Sequence, residues 1–328
     1  MNRTVVGVLL FLTALGAVLL SVRFGAVSLT TGEVFHALLG DGDATHRYIV
    51  GELRLPRAIL GLLVGGGLAL AGAVFQALLR NPLAEPYILG ISGGAALGAV
   101  LVLASGLAAA GSWSLPGAAF AGALLAIVLV FRVAAAADRR VDVRVLLLAG
   151  VVVGAFFSAC IAFVLSVSDA PTVRSAVVWM MGSLSGADWK SVVVVATYTI
   201  PAAFVLLGLA RALNLMAIGE ETAGYLGTDV ERIKRVAFGV ASLIAAAGVA
   251  VAGVIGFVGL IVPHGVRLLT GSDHRTLLPL SFLAGAAFLT LADVLARVLL
   301  APTEIPIGVI TAFAGVPLFL VLLRRSLS

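Results

Sequence analysis

Lysine is almost missing from this chain: of 328 residues only Lys190 and Lys234 carry that side chain. Neither follows the glycines of a phosphate-cradling GxxxxGK[ST] loop, so hydrolysis of nucleotide by that machinery is excluded. Cysteine is rarer still. Cys160 stands alone in the middle of an apolar run, which rules out an intramolecular disulfide and offers no metal site, and it reads as a small buried apolar residue. Charge is scarce, at 11% Asp, Glu, Lys and Arg. No HExxH, acidic metal cluster or second carboxylate pair is present. Inside the apolar runs the clear ionisable residues are Asp293 and Arg297, four apart near the end of one run. That spacing predicts a local ion pair with Arg297 reaching toward water. An ion-coupled secondary transporter, the first alternative class, would be expected to hold carboxylates or histidines near the midplane.

What fills the chain instead is hydrocarbon. Hydrophobic residues make up 61% of the sequence, and the mean hydropathy is +1.18, which excludes a soluble domain of this size. The predicted fold is an all-α integral membrane protein, a single domain over residues 1–328. Its 38 glycines suit helices that pack backbone to backbone through small residues. The net charge of +5 is scattered between apolar runs, so it reports topology and the lipid bilayer rather than nucleic acid. Runs long enough to cross about 30 Å of hydrocarbon are Val5–Val22, Ala58–Leu79, Ile88–Ala110, Leu115–Ala137, Val145–Val167, Val192–Ala210, Val236–Val262, Leu277–Leu299 and Ile307–Leu323. The first passes into Arg23 without a small-x-small cleavage site and reads as an uncleaved helix. Ser28–Leu39 reads as a short amphipathic surface helix.

The run from Val236 is too long for one crossing, and Gly253 and Gly256 stand where it could turn back. With ten spans and both termini cytoplasmic, Arg23, Arg47, Arg54, Arg57, Arg174, Lys190 and Arg297 fall outside, seven against fourteen inside. With nine spans the division is 10 against 11, so the positive-inside rule selects ten. Gly67, Ala69, Ala71, Gly72, Leu79 and Pro82 recur 181 residues later as Gly248, Ala250, Ala252, Gly253, Leu260 and Pro263. The two copies start five crossings apart, which predicts an inverted repeat of the kind found around midplane pathways in transporters.

The longest polar interval runs from Asn214 to Arg235. Glu220 and Glu221 suit a helix's first turn, Gly227 suits a C-terminal cap, and Thr228 with Glu231 has capping-box spacing. Two short helices over about 216–235, on the cytoplasmic surface, are expected. They are either an amphipathic connector or a docking surface. A second alternative class, a rhomboid-like intramembrane protease, rests on Gly90-Ile91-Ser92-Gly93 with His264 as base, but four residues in so glycine-rich a chain are a cheap match.

LRLPR from Leu53, GLALAGAVFQALLRNPLAEPYILGISGGAALGA from Gly67, WMMGSLSGADW from Trp179 and NLMAIGEETAGYLG from Asn214 all belong to one pattern. So do GVIGFVGLIVPHGVRLLTGSDHRTLLP from Gly253 and ADVLARVLLAPTEIPIGVITAFAGVPLFL from Ala292. Over nearly its whole length the chain resembles the permease subunits of the ABC importers for iron-siderophores, haem and vitamin B12. The resemblance implies a bacterial or archaeal cell membrane and a homodimer or paired permeases. It also implies two cytoplasmic ATP-binding subunits and a substrate-binding protein that docks outside. The permease is then not an enzyme and holds no cofactor, ATP being bound by its partner. Gly219, Glu220, Ala223, Leu226 and Gly227 match the element that couples to the ATPase. Arg54, Arg57 and Arg297 match arginines that, in the B12 importer, receive a glutamate from each lobe of the binding protein.

Overall fold

In lipid every backbone amide must be satisfied within its own segment, which leaves helices or closed barrels. The computed structural model describes residues 3–25, 27–110, 113–137 and 143–327, and among these it holds helices and no strand. In chain order they are α1 (Arg3–Arg23), α2 (Thr31–Leu38), α3 (Ala44–Tyr48), α4 (Leu55–Leu78) and α5 (Ile91–Ala104). Then come α6 (Ser114–Ala137), α7 (Val143–Ser166), α8 (Ala170–Met180), α9 (Trp189–Gly208) and α10 (Ala210–Ile218). The last five are α11 (Glu220–Tyr225), α12 (Val230–Ala252), α13 (Val258–Thr270), α14 (His274–Val298) and α15 (Ile307–Leu327). Among the described residues 7 helical stretches are long and apolar enough to cross a membrane, and α5, α13 and part of α15 are shorter apolar helices. Each expected run has its helix.

Several boundaries differ from the expectation, each for a local reason. The helix expected from Ala58 begins earlier: a π-helical turn over Ile49–Arg54 joins α3 to α4, making one 35-residue helix from Ala44 to Leu78 that takes in LRLPR. Pro56 lies in the first turn of α4, where its missing N–H costs nothing. The run 88–110 contains only 14 residues of α-helix, because 3₁₀ turns occupy Pro86–Leu89 and Leu107–Ala110. Helix α8 was not expected; Asp169 caps it through Thr172 N and a proline sits in its first turn. The long run does turn at Gly253, whose φ is +69°, so α12 stops there and α13 begins at Val258.

Helix α4 is the axis of the molecule. It is buried along most of its length and packs against α1, α9, α12, α13 and α14. It approaches two helices backbone to backbone: a Cβ on Gly72 would lie 1.9 Å from Gly259 O of α13, and a Cβ on Gly65 2.3 Å from Gly285 O of α14. Against α12 the added Cβ of Gly67 would meet Ile244 Cγ2 at 2.7 Å, and that of Gly248 would meet Val64 Cγ1 at 3.6 Å. The helices therefore run antiparallel where they meet, and the two glycines equated by the 181-residue offset occupy corresponding places in the contact. The correspondence ends at Gly72, which lies inside α4 while Gly253 ends α12.

Candidate coupling and docking surfaces

The polar interval folds as α10, a bend at Gly219, and the six residues of α11. The second expected helix, running through Arg232, Lys234 and Arg235 into the next apolar run, is α12. Its cap is Asp229, which accepts from Arg232 N at 3.0 Å, and not Thr228. Helix α11 ends in a Schellman arrangement: Thr228 N donates to Ala223 O (3.0 Å) and Gly227 N to Gly224 O (2.9 Å), with Gly227 at φ +82°.

Glu220 fastens this turn. Its carboxylate accepts from Lys234 Nζ of α12 at 2.5 Å and lies 3.6 Å from Arg80 Nη2, just past the end of α4. Arg80 also donates to Met216 O of α10 at 3.2 Å. Ala223 is fully buried beneath the turn, whereas Ile218, Tyr225 and Leu226 are 74%, 93% and 62% exposed. Of the five expected coupling residues, Glu220, Ala223 and Gly227 thus build the turn, and Leu226 is presented by it. Lys234 and Arg80 were missed as partners: Lys234 stands within the polar interval, but Arg80 comes from the far end of α4, where no local pattern ties it to Glu220.

The same end of the molecule gathers the start of α1 and of α14. Asp273, the N-cap of α14, accepts from Asn214 Nδ2 (2.8 Å), Arg275 N (3.1 Å) and Arg3 Nη1 (3.0 Å). These bonds, Asn214's first, hold its carboxyl below the usual range. Residues assigned to one membrane side by charge alone (Arg3, Arg80, Lys234, Arg275) are here brought together. Arg139 and Arg140, assigned to that side too, lie outside the described residues.

About 35 Å away, by the rise of α4, the three expected docking arginines do come together, but not as exposed charge. Arg54, Arg57 and Arg297 are 5%, 9% and 6% exposed. Arg57 grips Asp293 through Nε (3.0 Å) and Nη2 (2.9 Å), and reaches Glu304 at 2.8 and 3.0 Å. Arg297 Nε lies 3.1 Å from the other oxygen of Asp293. The ion pair expected for Asp293 and Arg297 is present, but Arg297 does not reach toward water. Its Nη2 donates to Ser21 Oγ (2.8 Å) and Ser21 O (3.3 Å), and its Nη1 to Phe24 O (3.2 Å). Arg54 donates to Val22 O (2.9 Å), Arg23 O (2.7 Å) and Val27 O. The physical cause is the C-terminus of α1, whose last carbonyls have no intrahelical donors and carry the negative end of the helix dipole. Two guanidiniums supply what the helix lacks. Glu304 lies in the connection after α14; burial raises its pKa, but the bond and charge of Arg57, with Arg297, outweigh this and hold it below the usual range.

Between these ends the backbone breaks at residues 253–257. Pro263 has no N–H, so Gly259 O loses its helical donor, and Gln76 Nε2 of α4 supplies one at 3.2 Å. Gln76 Oε1 accepts from Arg267 Nη2 at 2.9 Å, and Glu85 accepts from Phe257 N at 2.7 Å. Irregular backbone at such depth persists only where protein or a cavity satisfies it. Among the described residues no hydrogen bond joins Ser92 to His264, so the nucleophile–base geometry of a protease is not formed.

Comparison with known proteins decides what this architecture is. The model of the FecCD transport family matches residues 11–325. The chain belongs to the FecCD transport family. A cobalamin import system permease, BtuC of Halobacterium salinarum, is 47% identical over 85% of this chain and 74% of its own length. The hemin transport system permease HmuU of Yersinia pestis is 39% identical over 97% of this chain and 94% of its own. A solved structure described as an inward-facing conformation of a metal-chelate type ABC transporter superposes with TM-score 0.87 at 32% identity, covering 96% of this chain and 97% of the other. As a FecCD protein the chain is a multi-pass permease subunit of an ABC importer, a transport component rather than an enzyme. Permeases of the family work with ATP-binding and substrate-binding proteins and dimerise.

Proposed function

We propose that this chain forms the pathway of an importer for a bulky metal chelate, as a homodimer, and that α10–α11 is the cytoplasmic surface on which a separate ATPase subunit docks. One observation carries the coupling role: a polar turn held rigid by Glu220, Lys234 and Arg80 presents Ile218, Tyr225 and Leu226 almost bare. Apolar side chains on a charged, clamped turn are what a protein partner covers. Closure of the ATPase on ATP would push this turn. Through Arg80 it is tied to α4 and through Lys234 to α12, the two helices that meet at the broken segment before α13.

The substrate-binding protein is proposed to dock at the opposite end, where Arg54, Arg57 and Arg297 lie. Because these three are buried and paired, they shape that surface rather than offer free charge. Cobalamin is the first ligand to test, since the relative at 47% identity is named for it. Identifying the compound that copurifies with the cognate binding protein decides the substrate.

The coupling role is tested by Leu226→Asp in the assembled complex. Substrate-stimulated ATP turnover is expected to fall at least tenfold with assembly retained. Parent-like stimulated turnover in the variant would remove the docking role from α11.

A further inference from the structure

We propose that a cleft between α9 and α14 is a binding site for an anionic phospholipid, its acyl chain in the cleft and its phosphate between Arg211 and Arg275. Helices α9 and α14 both pack on α4 and scarcely touch one another, leaving a volume of about 390 Å³ between them. Ile200, Ala203, Phe204 and Leu207 form one wall, at the i, i+3, i+4, i+7 spacing of a single helix face. Pro279 and Phe282 stand on the other wall, and the fully buried Leu70 of α4 is the floor. All of these side chains are apolar. From Ile200 to Leu207 the cleft runs about 10 Å along the helix. It opens sideways, with Ile200 46% and Phe204 71% exposed on a helix that is long and apolar enough to cross a membrane. What surrounds such an opening is lipid.

The same two faces continue into charge at one end. One turn beyond Leu207 is Arg211, in the first turn of α10, and one turn before Pro279 is Arg275, in the first turn of α14. Asn214 of α10, one turn past Arg211, accepts from His274 N at 2.8 Å, so α10 lies against the start of α14 at this end of the cleft. Both arginines are exposed, and among the described residues neither guanidinium has an ion-pair or hydrogen-bond partner. The nearby carboxylate, Asp273, is already held by Arg3, Asn214 and Arg275 N. Two free guanidiniums capping an apolar cleft complement a phosphate on a hydrocarbon tail. Basic pockets between membrane helices take acidic headgroups by this chemistry. Among the described residues other exposed arginines, such as Arg132 and Arg174, also have no such partner, so what marks Arg211 and Arg275 is their place at the end of an apolar cleft.

The test is native mass spectrometry of the delipidated full-length chain, titrated with phosphatidylglycerol and with phosphatidylcholine of equal chain length. Phosphatidylglycerol is expected to bind at one site roughly ten- to thirtyfold more tightly. Arg211→Gln with Arg275→Gln should abolish that preference, while the double Arg→Lys variant keeps most of it. Ala203→Phe, which fills the cleft, should weaken both lipids. The glutamine pair is at exposed positions and reads out whether or not Ala203→Phe folds. If the glutamine pair retains the preference, or millimolar inorganic phosphate displaces the lipid, the proposal is overturned. Because lipid binding is read without ATP or transported substrate, failure of the coupling role would leave this result untouched.

Discussion

At the start of α4, Arg54, Arg57 and Arg297 with Asp293 and Glu304 are consumed within the chain. Just beyond its far end, Glu220 takes two cations yet leaves Tyr225 and Leu226 bare. The first arrangement finishes the C-terminus of α1 and fastens α1, α4 and α14 together. The second uses its charges only to hold a turn, and spends no charge on the residues that turn presents. The difference teaches that charge alone does not mark a docking site in this protein. Burial separates the structural cations from the apolar side chains that α10 and α11 leave exposed.

The strongest way to break that comparison is Asp293→Asn. The change leaves the guanidiniums of Arg57 and Arg297 facing one another across a neutral amide. Removing one member of a buried pair costs about 3–5 kcal/mol. Thermal unfolding of the purified chain in detergent should show a large loss, and pairing the change with Arg297→Met should recover part of it. A parent-like Tm would mean that the network does not hold this end.

A middle-sized effect is expected at the other end from Gly227→Ala. At φ +82° an L side chain costs about 1–2 kcal/mol. No neighbour lies within 4 Å to add a clash. The loss should appear first as faster amide exchange at Gly227 and Thr228, which close the turn, with α14 unaffected. Leu226→Asp makes the contrast sharper still. At 62% exposure it should stay within about 0.5 kcal/mol of the parent in stability, whereas Asp293→Asn should not. Equal losses in these two variants would erase the distinction between the ends.

Much of this was legible beforehand because it depends on local chemistry. The apolar runs, the turn at Gly253 and the first-turn glutamates of α11 are written in adjacent residues. The clustering of Arg3, Arg80, Lys234 and Arg275 followed from charge bias alone. What was not legible depends on partners far away in sequence. Arg297 was expected to reach water, but the acceptors that bury it belong to Ser21 and Phe24, more than 270 residues earlier. Glu304 was not singled out, since a carboxylate in a connection usually needs no explanation. The run was expected to begin at Ala58, yet the π-helical turn carries the helix in from Ala44 and places Arg54 against α1.

The smallest effect is on acid stability, and it compares carboxylates from the two ends. Glu304 and Asp273 both have depressed pKa values, so each contributes stability that is complete above the ordinary carboxylate range and is lost as pH falls through the depressed value. The causes differ. Asp273 is held first by a hydrogen bond from neutral Asn214 and then by Arg275 N, whereas Glu304 is held against its burial by the cation of Arg57. With side chains 39% and 32% exposed, both sit where salt screens charge. Glu304→Gln should therefore lower the Tm slightly at pH 7 and flatten its fall between pH 5 and pH 3, and added salt should shrink that difference from the parent. For Asp273→Ala, which loses the acceptor for Asn214 Nδ2 and Arg275 N as well as a charge, the difference should persist in salt. Thermal melts over this pH range at low and high salt separate the two, and an equal salt response would show that Glu304 is no more dependent on Arg57 than Asp273 is on Arg3.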